Sequence, residues 1–583
     1  TDKAEEVLDL RIVGLDGEGT AMLQMSASET VGAAKRRLAR EQGFPAFAQR
    51  LLLGSRDLQD GEVLGSLASP VLQLVRMPFD EEAGAQLLDG VLAHDISGVE
   101  RALRAPAPPD HARPEDELTP LLAAATEGQL AMVQLLRDAG ADLDKPAQFG
   151  VTPLYVAARV GHEEVVRFLC EAGADKDRAE LNGTTPLMMS ASGGHLGAVR
   201  ALCEAGAERD KSLENGITPL FLAAHEGHDA IVLELCNAGA NRDARTQNGA
   251  TPLYIAAQRG HAEAVLHLCA AGADKDVPEV HGATPLLMAA HQGHSSVVCA
   301  LCDARADVNR PRHAGATPLW VASKEGHLNV ISRLCDARAD VNTIGERGAT
   351  PLWVAAKAGH AEAVRLLCEA WAEKDAQGES GASPLYSAAA KGHAEVVRFL
   401  CGAGARMEDR LQDDLGATPL YIAAQSGHSQ VVELLCRAGA DKDVILHDGS
   451  TALAIAVHRG DLETVQSLCR GGADKDQALP DGTTPLCLAA DGGLLPVARV
   501  LCEAGADKDK SGFDGATPIL LASSQGHVEI VQLLCAVSAD VSKPLEDGTT
   551  PLRVAEQEGH NEIVSLLCAA GASEGAQRME GKH

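Results

Sequence analysis

Aromatic rings are scarce in this chain: three Trp, four Tyr and eight Phe make up 3% of 583 residues. A few large cores filled by rings are therefore excluded, although a length prior of one domain per ~150 residues points to about four domains. The apolar share, 45%, is that of an ordinary folded chain, so the core has to be assembled from small aliphatic side chains in many thin layers. Long hydrophobic runs are missing as well. No stretch approaches the ~18 apolar residues of a membrane span, and the first 30 residues interleave acidic and polar positions instead of a basic-then-apolar signal. The chain reads as soluble, unsecreted and without membrane insertion, in the cytoplasm or the nucleus. It starts at Thr1 without Met, which is compatible with a longer parent protein. Positive charge is in deficit: 51 Lys and Arg face 82 Asp and Glu, a net charge of −31. Such a field repels phosphate and argues against a nucleic-acid partner; proteins, basic segments among them, suit it better.

What the chain does have is a period. A Thr-Pro-Leu triplet or close variant begins at Thr119, Thr152, Thr185, Thr218, Thr251, Thr284, Thr317, Thr350 and Ser383, in steps of 33. After one step of 35 it resumes at Thr418, Thr451, Thr484, Thr517 and Thr550. Each of these fourteen units has the same grammar. Thr caps a helix, Pro takes its first turn where a missing N–H is harmless, and Leu-x-x-Ala-Ala supplies a small-residue face. A Gly-His pair such as Gly161-His162 ends that helix and opens a second, Glu163 to Glu171, which closes at Gly173. Polar residues then lead through Asn182-Gly183, a turn signal expected at the tip of a hairpin finger. A period of this length marks a quasi-one-dimensional stack.

The run TPLYVAARVGHEEVVRFLCEAGADKD, Thr152 to Asp177, resembles the ankyrin repeat almost position by position, and the resemblance covers about residues 84–572. It implies an α solenoid of helix-turn-helix plus hairpin units: an N-terminal capping helix pair in 81–118 (Gly84 to Ala105), fourteen repeats in 119–572, and a disordered tail in 573–583. Arg553, Glu556, Gln557 and Glu558 make the last inner helix polar, as a terminal repeat requires. One departure recurs: the family's His after Thr-Pro-Leu is replaced by Tyr155, Met188, Phe221, Tyr254, Leu287, Trp320 and others. A side-chain hydrogen bond at that place is expected to give way to apolar packing.

Residues 1–80 lie outside the period. Strands are expected at Leu8–Val13, Ala21–Met25, Arg50–Leu53 and Val71–Val75, with a helix over Glu29–Gln42. The stretch Glu29 to Leu67, with its Gly43-Phe44-Pro45 turn and Leu58-Gln59-Asp60-Gly61 turn, resembles ubiquitin-like domains and implies an α+β β-grasp fold. Leu52 and Val75 match the apolar patch by which that family is bound. The chain runs on through Met77-Pro78-Phe79-Asp80 instead of ending in Gly-Gly, so the resemblance implies a fused ligand for ubiquitin or proteasome receptors, not a conjugated tag. With nine basic and twelve acidic residues this segment carries −3, which leaves −31 − (−3) = −28 on the rest.

No signature of catalysis emerges. Thirteen cysteines from Cys170 to Cys568 keep the repeat register at the end of the second helix, where each is expected as a small buried hydrophobe in a reducing compartment. Cys299 and Cys302 form the one C-x-x-C pair without further ligands, so no metal or cofactor is implied. Eleven of 21 histidines belong to the Gly-His pairs and read as helix-junction residues. The Gly14–Gly19 stretch lacks the helix that a phosphate cradle needs, and Asp474-x-Asp476 lacks the Gly of a calcium loop.

The aperiodic features point to binding. Arg305, Arg338 and Trp371 replace the closing Gly in three consecutive units, at a cost of ~1 kcal/mol each if the left-handed backbone is kept. They precede Trp320, Trp353 and Tyr386 by fifteen residues, and Trp and Arg are the residues most enriched at binding hot spots. These six are the candidate protein-binding residues. Variable pairs before the Gly-His, such as Lys324-Glu325 and Gln425-Ser426, and the inserted finger Met407 to Leu415 are further candidates. The expected function is a non-enzymatic adaptor whose array holds a client while Leu52 and Val75 present to the ubiquitin pathway. The alternative is a structural or signalling scaffold with no such link.

Overall fold

The computed structural model describes residues 7–14, 19–42, 49–53, 56–59, 62–67, 71–76, 80–105, 107–378, 381–413 and 415–572. The expectations for the turns at Gly14–Gly19 and Gly43–Pro45, for Asp60-Gly61, for Met77–Phe79 and for the tail 573–583 concern residues wholly or partly outside these. The chain divides into two compact units, Thr1–Val280 and His281–His583.

The first unit opens with a small mixed sheet. Alternating apolar positions form β1 (Val7–Gly14) and β2 (Gly19–Ser26), paired antiparallel with Leu10 opposite Leu23. The helix Val31–Gln42 follows, then β3 (Gln49–Leu53), a two-residue β4 (Arg56–Asp57) that the sequence pattern does not reveal, and β5 (Val71–Arg76). The order β2-β1-β5-β3-β4, with β1 parallel to β5, is a β-grasp-like arrangement. Its core gathers Leu10, Ile12, Leu23, Leu38, Leu51, Leu72 and Leu74. The helix pair Glu81–Leu92 and Ile96–Arg104 comes next, and then the first repeats.

Both units contain the same repeat. In all fourteen copies the hydroxyl of the leading Thr or Ser accepts the amide hydrogen three residues on, as Thr350 Oγ1 does from Trp353 N at 3.3 Å. A cap of this kind is worth ~1 kcal/mol. Pro in the first turn fixes φ in every copy but one, where Ala452 stands. The inner helices bury Leu and Ala positions, as Pro351–Ala358 buries Leu352, Ala355 and Ala356, and the outer helices bury one stripe.

Two hydrogen-bonded ladders tie copies together. Histidines of the Gly-His pairs donate from Nε2 to a carbonyl in the last turn of the preceding inner helix: His327 to His291 O at 3.0 Å, His360 to Lys324 O at 3.1 Å, His393 to Lys357 O at 3.0 Å. These carbonyls have no partner inside their own helix, which explains the periodic histidines. Asp461 and Leu494 interrupt the series; Asp461 instead caps its own helix at Thr464 N, 3.2 Å away. The second ladder is acidic. Asp474 N donates to Asp443 Oδ1 at 2.7 Å, Asp476 N to Asp474 Oδ1 at 2.9 Å, and Asp507 N to Asp476 Oδ1 at 2.8 Å. Much of the negative charge is thus a row of carboxylates holding finger amides. Cations at the same level bond the C-terminal carbonyls of the next outer helix, as Lys374 Nζ does with Ala403 O at 2.6 Å.

The fingers depart from expectation. No strand forms among the described finger residues. Each tip is a tight turn, Gly183 N to Glu180 O at 2.9 Å, and single bonds such as Leu181 N to Phe149 O at 2.8 Å join neighbouring tips. The cysteines also depart. Only Cys236, Cys436 and Cys487 are fully buried, Cys568 is exposed and the others are half-buried. Burial still pushes the Cys335 and Cys368 thiols up to about 11.

Candidate functional site

The six residues singled out from the sequence fall into two groups. Arg305, Arg338 and Trp371 sit just past the outer helices Ser295–Asp303, Leu328–Asp336 and Ala361–Glu369. All three are exposed, Trp371 to 89%, and all keep the left-handed backbone of the missing glycine with φ of 62°, 63° and 68°. The geometry is not relaxed, so the strain stays in the fold. Ser538, φ 61°, is a fourth case that the sequence reading missed.

Trp320, Trp353 and Tyr386 are the other group, and they are buried in the packing between repeats, at 4%, 7% and 8% exposed. The third helical residue of each inner helix turns its ring beneath the following finger. Trp320 Nε1 donates to Ala349 O at 3.0 Å and Trp353 Nε1 to Ala382 O at 2.9 Å. The expected loss of a side-chain hydrogen bond at this place is therefore corrected for the Trp copies, where an indole N–H bonds the carbonyl just ahead of the next repeat's cap. The hydroxyl of Tyr386 has its pKa pushed up to about 12 by burial.

Trp320 and Trp353 nevertheless share a site. Both residues line a cavity of about 300 Å³ together with Lys324, Glu346, Arg347, Ala349, Val354, Lys357 and Ala358. Arg305, Arg338, Trp371 and Tyr386 are not part of it. Two glycines make room for the indoles: a Cβ on Gly345 would stand 2.6 Å from Trp320 Cδ1, and one on Gly378 would stand 2.9 Å from Trp353 Nε1. Each glycine lies 25 residues after its tryptophan. The last turn of each inner helix brings an ammonium over the ring, Lys324 Nζ 5.8 Å from the Trp320 centroid and Lys357 Nζ 4.6 Å from that of Trp353. Lys324 stands 3.9 Å from Glu325 Oε1, and Glu346 on the finger is ion-paired with Arg312. Among the described residues Lys357 has no ion-pair partner. Sequence reasoning had Lys324 but passed over Lys357, 33 residues on, and the two glycines.

A cavity of like size in the first unit occupies the same place three repeats earlier, lined by Phe221 and Tyr254 with Asn248, Gln258 and Glu279. The groove between fingers and inner helices is thus a recurrent feature with varied lining. On the sheet, Leu52 of β3 and Val75 of β5 lie on the same face. Leu52 pairs with Gln73 and Arg50 with Val75, so they are diagonal neighbours, both half-buried, opposite the core-facing Leu51 and Leu74.

No group of three or more His, Cys, Asp or Glu among the described residues is arranged to hold a metal ion, and no helix among them is long and apolar enough to cross a membrane. A comparison with curated proteins found no match. The family model "Ankyrin repeats (3 copies)" matches residues 90–180, 176–245, 238–312, 304–378, 370–445, 438–512 and 507–578. Those stretches take in the helix Ile96–Arg104 and all fourteen copies of the capped unit: the chain belongs to the ankyrin-repeat family.

Proposed function

We propose that this protein is a non-enzymatic adaptor of the cytoplasm or nucleus, whose repeats hold a client protein and whose N-terminal domain engages receptors of the ubiquitin–proteasome pathway. Ankyrin repeats indicate protein–protein interaction, and the observation that carries the reading is the groove. Its frame is held constant by caps, histidines and carboxylates, while the residues that line it change from repeat to repeat, from Asn248 with Gln258 to Arg347 with Lys357. A constant frame under a variable lining is what recognition of one partner requires.

The ubiquitin-pathway arm rests on the ubiquitin-like resemblance of residues 29–67, on the β-grasp-like strand order, and on Leu52 and Val75 sharing one face of the sheet. The full chain, immobilised and exposed to purified proteasomes and ubiquitin receptors, is expected to retain at least one of them and to lose it with Leu52→Ala and Val75→Ala combined. Retention of none, or retention indifferent to the double change, refutes that arm. Affinity capture from cells with the full chain tests the client arm: recovery of partners that a chain with the groove residues of 320–358 replaced no longer recovers is the expected result.

A further inference from the structure

We infer that the Trp320–Trp353 groove binds an extended acidic segment of a partner protein, with an apolar side chain seated between the indoles and carboxylates paired to Lys324 and Lys357. This rests on the protein-binding reading above and names the chemistry of the partner at one place. It also reverses what net charge suggests, since a chain of −31 would be matched with basic segments.

Three observations carry it. The cavity is built for rings: Gly345 and Gly378 clear the indoles, where the corresponding positions three repeats earlier, Thr246 and Glu279, carry side chains. Its rim is cationic. Lys324, Arg347 and Lys357 line it, where the earlier cavity has Gln258 at the helix end and Asn248 on the finger. The finger carboxylate Glu346 is already held by Arg312, and among the described residues Glu325, which stands beside Lys324 and 4.0 Å from His291 Nδ1, is the other acidic group beside it. An ammonium resting over a ring has donors left on its far side, so Lys357 can accept a carboxylate without leaving Trp353.

Spacing sharpens the expected ligand. Stacked helices stand ~8–10 Å apart, so Lys324 and Lys357, on equivalent turns of consecutive inner helices, are separated by about one such step. A polyproline-II segment advances ~3.1 Å per residue and returns to the same face every third residue. Carboxylates at positions i and i+3, with an apolar residue between them, meet both lysines.

The test is selection of a random dodecapeptide phage library on the full chain. Enriched clones are expected to carry Asp or Glu three residues apart around an apolar residue. A synthetic copy of the leading clone is expected to bind about tenfold more weakly, or worse, to the Lys324→Glu/Lys357→Glu double variant. The control Arg437→Glu, an exposed charge on an outer helix, leaves binding unchanged, and circular dichroism verifies the fold of each variant. Enrichment of basic clones, of clones indifferent to the double reversal, or of none overturns the assignment. Indifferent clones would leave the protein-binding reading standing, and capture of cellular partners judges that reading separately.

Discussion

The fit between Trp353 and Gly378 yields a double-mutant cycle whose sign follows from the geometry. Trp353→Phe removes the indole N–H that bonds Ala382 O at 2.9 Å. That carbonyl also accepts from Gly378 N at 2.9 Å, so the loss is one bond, ~0.5–1.5 kcal/mol, and not an orphaned acceptor. The smaller ring forfeits roughly 40 Å² of buried apolar area, ~1 kcal/mol at 25 cal/mol/Å², for a total near ~2 kcal/mol. Gly378→Ala in the native background puts Cβ 2.9 Å from Nε1, 3.0 Å from Cε2 and 3.2 Å from Cδ1, an overpacking cost of ~1–3 kcal/mol. In the Phe background the pyrrole edge is gone and most of that cost goes with it. The double variant is therefore expected to be less destabilised than the sum of the singles by at least ~1 kcal/mol. Global unfolding of a long array is not two-state, so the quantity to measure is local: native-state amide exchange read by mass spectrometry over residues 351–369, where ~1.4 kcal/mol is tenfold in opening. Additive effects, or increases spread evenly into residues 119–280, would refute the reasoning.

Three further outcomes are expected. Trp371→Gly relieves a left-handed backbone, φ 68°, and removes an indole that is 89% exposed, so it should raise local stability by ~1 kcal/mol in urea; a loss of stability contradicts the strain argument. Leu494→His restores the Nε2 donor at the place where the ladder is broken and should increase protection of residues 452–458 about fivefold, whereas Asp461→His exchanges one cap for another and should change little. Because burial holds the Cys335 and Cys368 thiols at about 11, they are almost wholly protonated at pH 7.5 and become thiolates only as pH climbs toward that value. Iodoacetamide should alkylate them more than about a hundredfold slower than an ordinary thiol and later than the exposed Cys568, as mapped by peptide mass spectrometry; early modification of Cys335 would contradict the burial.

The repeat was legible because each of its devices is local and recurs fourteen times: the Thr hydroxyl, the Pro after it, the glycine at a positive φ. The sheet was legible from alternation, except for β4, whose two residues carry no pattern. The groove was only half legible. Three tryptophans crowded within 52 residues drew attention to the repeats that hold this cavity, but the sequence could not show that Trp320 and Trp353 turn under the fingers while Trp371 stands in solvent. Burial depends on residues 25 positions away, and among 58 glycines nothing distinguished Gly345 and Gly378 until the rings were seen against them. The finger signal Asn182-Gly183 identified a turn correctly. Its flanking residues make one bond across the turn, Glu180 N to Thr184 O at 3.1 Å, while Leu181 N bonds the neighbouring finger, and no strand ladder extends from there.

The acidic ladder makes the repeats interchangeable parts. Its bonds run 31 residues from finger to finger, often with a further step of two within a finger, so a whole unit presents an Asp or Asn side-chain oxygen at one end and a backbone amide at the other. Gain or loss of one 33-residue unit leaves the joint chemically unchanged, whereas a partial unit breaks it. Across the two-residue insertion the bond is kept: Asp441 N reaches back 33 residues, not 31, to Oε1 of Glu408, which stands 33 residues after Asp375, at 2.9 Å. The array can lengthen by duplication while its groove diverges, which lets one frame accumulate different binding chemistries along its length.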